Sequence, residues 1–152
     1  MLFASVIILS WLMTTCGIFI FLTLSNTGAV VGYGRYSKPG GSKTLPANLA
    51  WAIQQSPAFF IPAYFYWTRT EKCSGFGQVL TILMMIHYGY RAFFYPCLLK
   101  TAHRTPVRIV AVSFVFSAWN GFIQGAWNTN FQPEFEDFYP KFLVLFGIFL
   151  FY

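Results

Sequence analysis

The chain has 152 residues, 57% of them hydrophobic and 22% aromatic, and only 9% charged, against about 25% in an ordinary soluble domain. So little polar surface cannot wet a globule of this size, which excludes a water-soluble domain. The net charge of +6 would suggest nucleic acid in a soluble protein, but no charge occurs before Arg35, between Lys43 and Arg69, or between Arg108 and Glu134. Those gaps are the expected membrane segments, and no nucleic-acid partner is expected.

A helix needs roughly 20 mostly apolar residues to cross about 30 Å of hydrocarbon, because its backbone polar groups must be bonded within the segment. By that ruler the chain is all-α and integral to the membrane. It forms one domain over 1–152, with four full spans near 2–24, 46–67, 77–96 and 107–127. The first stretch has no positive leading region and no small-residue cleavage site, so it reads as a retained helix rather than a signal peptide. Thr14, Thr15 and Cys16 within it are placed to bond back to its own backbone. Gly28 to Pro46 follows as a loop, with Pro39-Gly40-Gly41 as its turn signal.

Span two opens at Pro46 but contains Pro57 and Pro62, each removing a backbone donor from the helix. Gln54 and Gln55 stand just before Pro57. Either these amides serve helix packing, bonding to carbonyls freed by the prolines, or they face a cavity or ligand. Span three closes in His87-Tyr88-Gly89-Tyr90-Arg91. Tyr90 and Arg91 suit a helix end, with the Tyr at the interface and the Arg snorkelling to water.

Tyr88 differs by position. It lies eight residues before Pro96, about 12 Å deep, and Gln55 lies nine residues after Pro46, about 13 Å from the same face. On neighbouring antiparallel helices, a phenol and an amide at one level can both donate to a single buried oxygen, such as a ketone in an apolar pocket. Span four carries Asn120-Gly121 and Gln124-Gly125, a pattern for close helix approach with amides bonding across the gap.

The acidic segment Glu134 to Asp137 reads as a solvated turn, and Cys16, Cys73 and Cys97 imply neither a disulfide framework nor a metal site. The stretch from Phe142 to Tyr152 has 11 residues and would rise only about 16 Å as a helix. It is expected to be a truncated fifth span. Lys and Arg favour the cytoplasmic side of short loops. Arg35, Lys38, Lys43, Lys100, Arg104 and Arg108 fall on one side against Arg69, Lys72 and Lys141 on the other, which places the amino terminus in a lumen.

Several blocks then arrive in a particular order: Tyr33-Gly34-Arg35-Tyr36, Leu45-Pro46-Ala47, Leu49 to Pro57, His87 to Arg91 with Tyr95-Pro96, and Asn120-Gly121-Phe122-Ile123-Gln124. Their succession from about residue 30 onward resembles the steroid 5α-reductases. The resemblance implies a seven-helix enzyme of the endoplasmic reticulum that uses NADPH to reduce the double bond of 3-oxo-Δ4 steroids. Hydride goes to the β carbon of the enone while charge gathers on the 3-oxygen. The family's Tyr and Glu that hydrogen-bond that oxygen correspond to Tyr88 and Gln55, and Trp51 and Gln54 match residues beside the steroid.

Two departures accompany the resemblance. Gln55 replaces a Glu, and an amide donates a hydrogen bond but lends no proton. The family holds its cofactor mainly through the carboxy-terminal half, which is expected to be absent here, so no cofactor-binding residue is assigned and the chain alone is expected to be inactive. The rival readings are a non-catalytic truncated isoform and a small polytopic interaction protein whose polar blocks serve only packing.

Overall fold

The computed structural model describes residues 1–28, 43–69, 73–100, 103–132, 142–143 and 146–147. Among them four helical rods lie side by side, clasped at one end by two three-residue strands. The first rod is α1 (Leu2–Thr27). Strand β1 (Thr44–Pro46) leads into α2 (Ala47–Arg69). The third rod joins α3 (Gly75–Gly89), a π-helical turn (Tyr90–Phe94) and α4 (Tyr95–Leu98). Strand β2 (Arg104–Pro106) leads into α5 (Val107–Asn130). Each rod runs two or three residues further at its carboxyl end than the expected span.

Two of these helices, α1 and α5, are long and apolar enough to cross a membrane. The acidic segment 134–137 lies outside the described residues. So does the 142–152 stretch, except for two helical pairs at 142–143 and 146–147.

Local chemistry explains why these segments are helical. On α1 the hydroxyls of Ser10, Thr14, Thr15 and Thr23 donate to the carbonyl four residues back at 2.8–3.0 Å. These otherwise poor helix formers are thereby satisfied within the rod. Gly28 ends it at φ 61, its amide bonding to Leu24 O, a left-handed cap that glycine adopts without steric cost.

In α2 the helix continues through Pro57 and Pro62. Pro57 has no N–H for the carbonyl of Ile53, and the Ser56 hydroxyl supplies the missing donor at 3.1 Å. In the third rod Pro96 likewise offers no N–H to Ala92. The turn just before it is π-helical, with Tyr95 N–H bonding to Tyr90 O, so the ladder takes up one extra residue ahead of the proline.

The strand pair was not part of the all-α expectation. Its register is antiparallel, Thr44 opposite Pro106, Leu45 opposite Thr105 and Pro46 opposite Arg104. It caps two helices at once, because Ala47 N donates to His103 O at 3.3 Å and Val107 N donates to Lys43 O at 2.9 Å. Arg104 fastens the clasp, Nε to Thr44 Oγ1 at 2.9 Å and Nη2 to Thr44 O at 3.0 Å. Hence α2 and α5 start together, and Lys43, His103, Arg104 and Arg108 gather at one end.

The α2–α5 interface is the most extensive in the molecule. Its two chains run parallel, since a Cβ at Gly121 would meet Pro57 O at 3.0 Å and Ala58 Cα at 3.1 Å, and one at Gly125 would meet Pro62 Cα at 2.9 Å. Small residues thus let the α5 backbone lie directly on the proline-marked face of α2. The third rod runs the opposite way, with Gly77 against Asn128 and Tyr88 against Asn120. Rod α1 also opposes α5. Phe3 packs on Trp127 and Phe131 with centroids 6.3 and 5.2 Å away. Val6 joins Phe65, Ile123 and Ala126 in the buried cluster. Elsewhere α1 is almost wholly exposed, Trp11, Phe19 and Phe21 by 68–69%.

Candidate functional site

Helix α5 carries Asn120, Gln124 and Asn128 at intervals of four, which places three amides along one face. They line an open hollow of about 340 Å³ together with Leu80, Met84 and Tyr88 of α3. On the other flank, Asn120 and Gln124 also line a hollow of about 390 Å³ against Ser10, Thr14 and Gly17 of α1. The two hollows share those amides, so the polar face of α5 floors a trough between α1 and α3. A third hollow of about 580 Å³, between α2 and α3, is lined by apolar side chains such as Phe59, Ile86 and Phe93, with Tyr90 at its rim.

Tyr88 is half-buried in the trough, and its hydroxyl accepts a hydrogen bond from Asn120 Nδ2 at 3.2 Å. The donor comes from a residue that sequence reading assigned to helix packing. It bonds across the helix gap as expected, but its partner is the candidate catalytic phenol. Gln55 is half-buried on α2 and is not among the residues lining the Tyr88 hollow. Because Gly121 meets Pro57 and Ala58, Asn120 stands about 3 Å further along the helix axis than Gln55. Gln55 and Tyr88 therefore lie within one helical turn of the same level.

Gln54 is 3% exposed, and its Nε2 has no hydrogen-bond partner among the described residues. A buried amide left in that state costs about 1–3 kcal/mol. Trp51, three residues earlier and on the same side of α2, has the Arg91 guanidinium 5.2 Å above its ring centroid. Tyr95 meets Trp51 edge-on at 5.2 Å. Arg91 is half-buried, and its Nε is buried with no hydrogen-bond partner among the described residues. Trp51 offers its guanidinium a π face on the neighbouring rod. Tyr90 does behave as a rim residue, 51% exposed and stacked on Phe94.

The structure thus gathers Tyr88 with Asn120, and Trp51 with Arg91 and Tyr95, on the facing sides of α2, α5 and the third rod. Sequence reasoning missed the Arg91–Trp51 contact and the Asn120–Tyr88 bond. The signal for the first was the place of Arg91 three residues after Tyr88, and for the second the matching polar spacing on α5.

Comparison with known proteins follows the same lines. The family described as 3-oxo-5-alpha-steroid 4-dehydrogenase matches residues 103–152. A 3-oxo-5-alpha-steroid 4-dehydrogenase 1 of Homo sapiens is 27% identical over 146 residues, 93% of this chain and 56% of that protein. A 3-oxo-5-alpha-steroid 4-dehydrogenase 2 of Macaca fascicularis is 33% identical over 141 residues, 85% of this chain and 54% of that protein. A Steroid 5-alpha-reductase DET2 of Arabidopsis thaliana is 24% identical over 127 residues, covering 78% and 48%. The chain spans about half the length of the curated relatives it matches, and it belongs to the steroid 5α-reductase family.

Proposed function

We propose that this protein takes part in the NADPH-dependent reduction of the C4–C5 double bond of a 3-oxo-Δ4 steroid in the endoplasmic reticulum membrane. Residues 1–152 supply mainly the steroid-facing part. The observation that carries this reading is the Tyr88 phenol, held by Asn120 at the floor of a trough within the sequence block shared with the steroid 5α-reductases. Its hydroxyl proton is free to bond a ketone oxygen. A donor aimed at an oxygen that gains charge during reaction stabilises that charge most in a dry site.

When bound, the cofactor supplies the hydride that reaches C5, and a proton from the medium completes C4. The residues present fit it in part. Asn120 and Gln124 suit the carboxamide of a nicotinamide ring, but no Arg or Lys lines either polar hollow, so the described residues do not account for its phosphates. The chain's own contributions are orientation and charge. Tyr88 donates to the 3-oxygen, and Gln55 stands on α2 within a turn of the same level. Trp51 and Gln54 are assigned beside the steroid by the family resemblance alone, since neither they nor Gln55 line the hollows described above.

Membrane insertion is part of the same proposal. Rods that alternate in direction, a first helix with its aromatic side chains exposed, and basic residues collected at the strand clasp support four crossings with the clasp cytoplasmic and the amino terminus lumenal. The partners are then the lipid bilayer and the steroid.

The test is isotopic. Microsomes expressing the natural full-length polypeptide, given NADPH deuterated at the transferred position and a Δ4-3-oxo steroid, should yield 5α-reduced product with deuterium at C5. Absence of deuterated product in membranes where the protein is correctly inserted would refute the activity.

A further inference from the structure

We propose that Asn120 fixes the polarity of the Tyr88 hydroxyl by donating to its oxygen, so that the phenol proton is kept for the steroid ketone. The inference rests on the steroid-reduction reading above and gives Asn120 the part of a positioning residue. A phenol has one proton to give and lone pairs to accept with. Its neighbours decide which of these faces the ligand. Here a lone pair is engaged, because Asn120 Nδ2 donates to Tyr88 Oη at 3.2 Å. No described residue accepts the phenol proton, which is left for a ligand in the hollow.

The placement of that amide is built into the fold. Asn120 precedes Gly121, whose Cα lies so close to the α2 backbone that a Cβ would touch Pro57 O and Ala58 Cα. The height and rotation of Asn120 are therefore set by backbone packing rather than by a loop. Tyr88 is set from its own side by Gly89, whose position would bring a Cβ within 3.2 Å of the Phe59 ring.

This polarity explains why an amide is needed at residue 120. A carboxylate of the same shape would accept the phenol proton and turn it away from the ketone. Leucine would leave the hydroxyl free to rotate.

The experiment uses the full-length protein in nanodiscs with a Δ4-3-oxo steroid carrying 13C at C3, and reads the infrared carbonyl stretch of the bound ketone. The wild type should show a stretch lowered from its value in apolar solvent, constant with pH. Tyr88→Phe should return it toward the solvent value. Asn120→Asp should make it pH-dependent, lowered where the carboxyl is protonated and can donate, and restored where it is ionised. Turnover of Asn120→Asp at the high-pH end should fall in kcat rather than KM, approaching the loss of roughly 10²-fold expected for removing one oxyanion donor. Asn120→Leu should give a broadened, partly restored stretch, and it supplies the answer if the aspartate variant does not fold.

A lowered, pH-independent stretch in both residue-120 variants, with Tyr88→Phe still losing it, would overturn the role of Asn120 and leave Tyr88 as the donor. A stretch unchanged even in Tyr88→Phe would overturn both, because the ketone would then not meet Tyr88 at all.

Discussion

Tyr88 is the residue on which the proposed chemistry turns, and its removal gives the sharpest expectation. Tyr88→Phe deletes the proposed donor while keeping the ring, so kcat in the full-length enzyme should fall by about 10²–10³, or about 2.7–4 kcal/mol. Steady-state kinetics would check this, and a loss confined to KM would contradict it. Gln55 gives the opposite expectation. Gln55→Glu restores a group that can donate a proton as well as a hydrogen bond, so turnover should rise, and an unchanged or lower rate would count against its place in the site. The Arg91–Trp51 contact is testable by a double-mutant cycle with Arg91→Leu and Trp51→Leu. Thermal stability should reveal a coupling of about 0.5–2 kcal/mol.

At this scale Tyr88 was legible in the sequence because it sits in a dense polar block on an apolar helix. Its bond to Asn120 was not legible, since 32 residues separate the pair and nothing local says which amide meets which hydroxyl. The contact of Arg91 with Trp51 was not legible for a related reason. The ring belongs to another rod.

The elements were easier to read than their contacts. Spans of about 20 apolar residues announced the four rods, because length and hydropathy are local properties. The paired glycines of α5 signalled a close approach without naming the partner face. Gly125→Leu should therefore cost about 1–3 kcal/mol through overpacking against Pro62 and Phe65, seen as a lower midpoint of thermal unfolding. Gly17→Ala is the internal control. Nothing among the described residues lies within 4 Å of its added Cβ, so it should be neutral or stabilising by up to about 1 kcal/mol, as replacing a helical glycine allows.

The strand clasp escaped sequence reading because three-residue strands bounded by prolines carry no alternating pattern. Its stabilising effect is open to measurement, since Arg104→Ala removes two exposed hydrogen bonds to Thr44. A loss of about 1 kcal/mol is expected, and a rate of amide exchange at Ala47 and Val107 unchanged by the substitution would argue that the clasp forms without that side chain.

For the molecule as a whole, the decisive features are the alternating rod directions, the exposed apolar surface of α1 and the trough floored by α5. Together they describe a helical body whose polar chemistry faces inward, consistent with its membership of the steroid 5α-reductase family. In the proposed reaction the trough receives a steroid ketone at Tyr88. The most direct measurement compares thermal unfolding of the full-length protein with a Δ4-3-oxo steroid and with the matching 3-hydroxy steroid, in wild type and in Tyr88→Phe. The ketone should raise the midpoint of the wild type more than the alcohol does, and Tyr88→Phe should abolish the difference. An unfolding transition indifferent to the ketone, or shifted equally in both proteins, would contradict it.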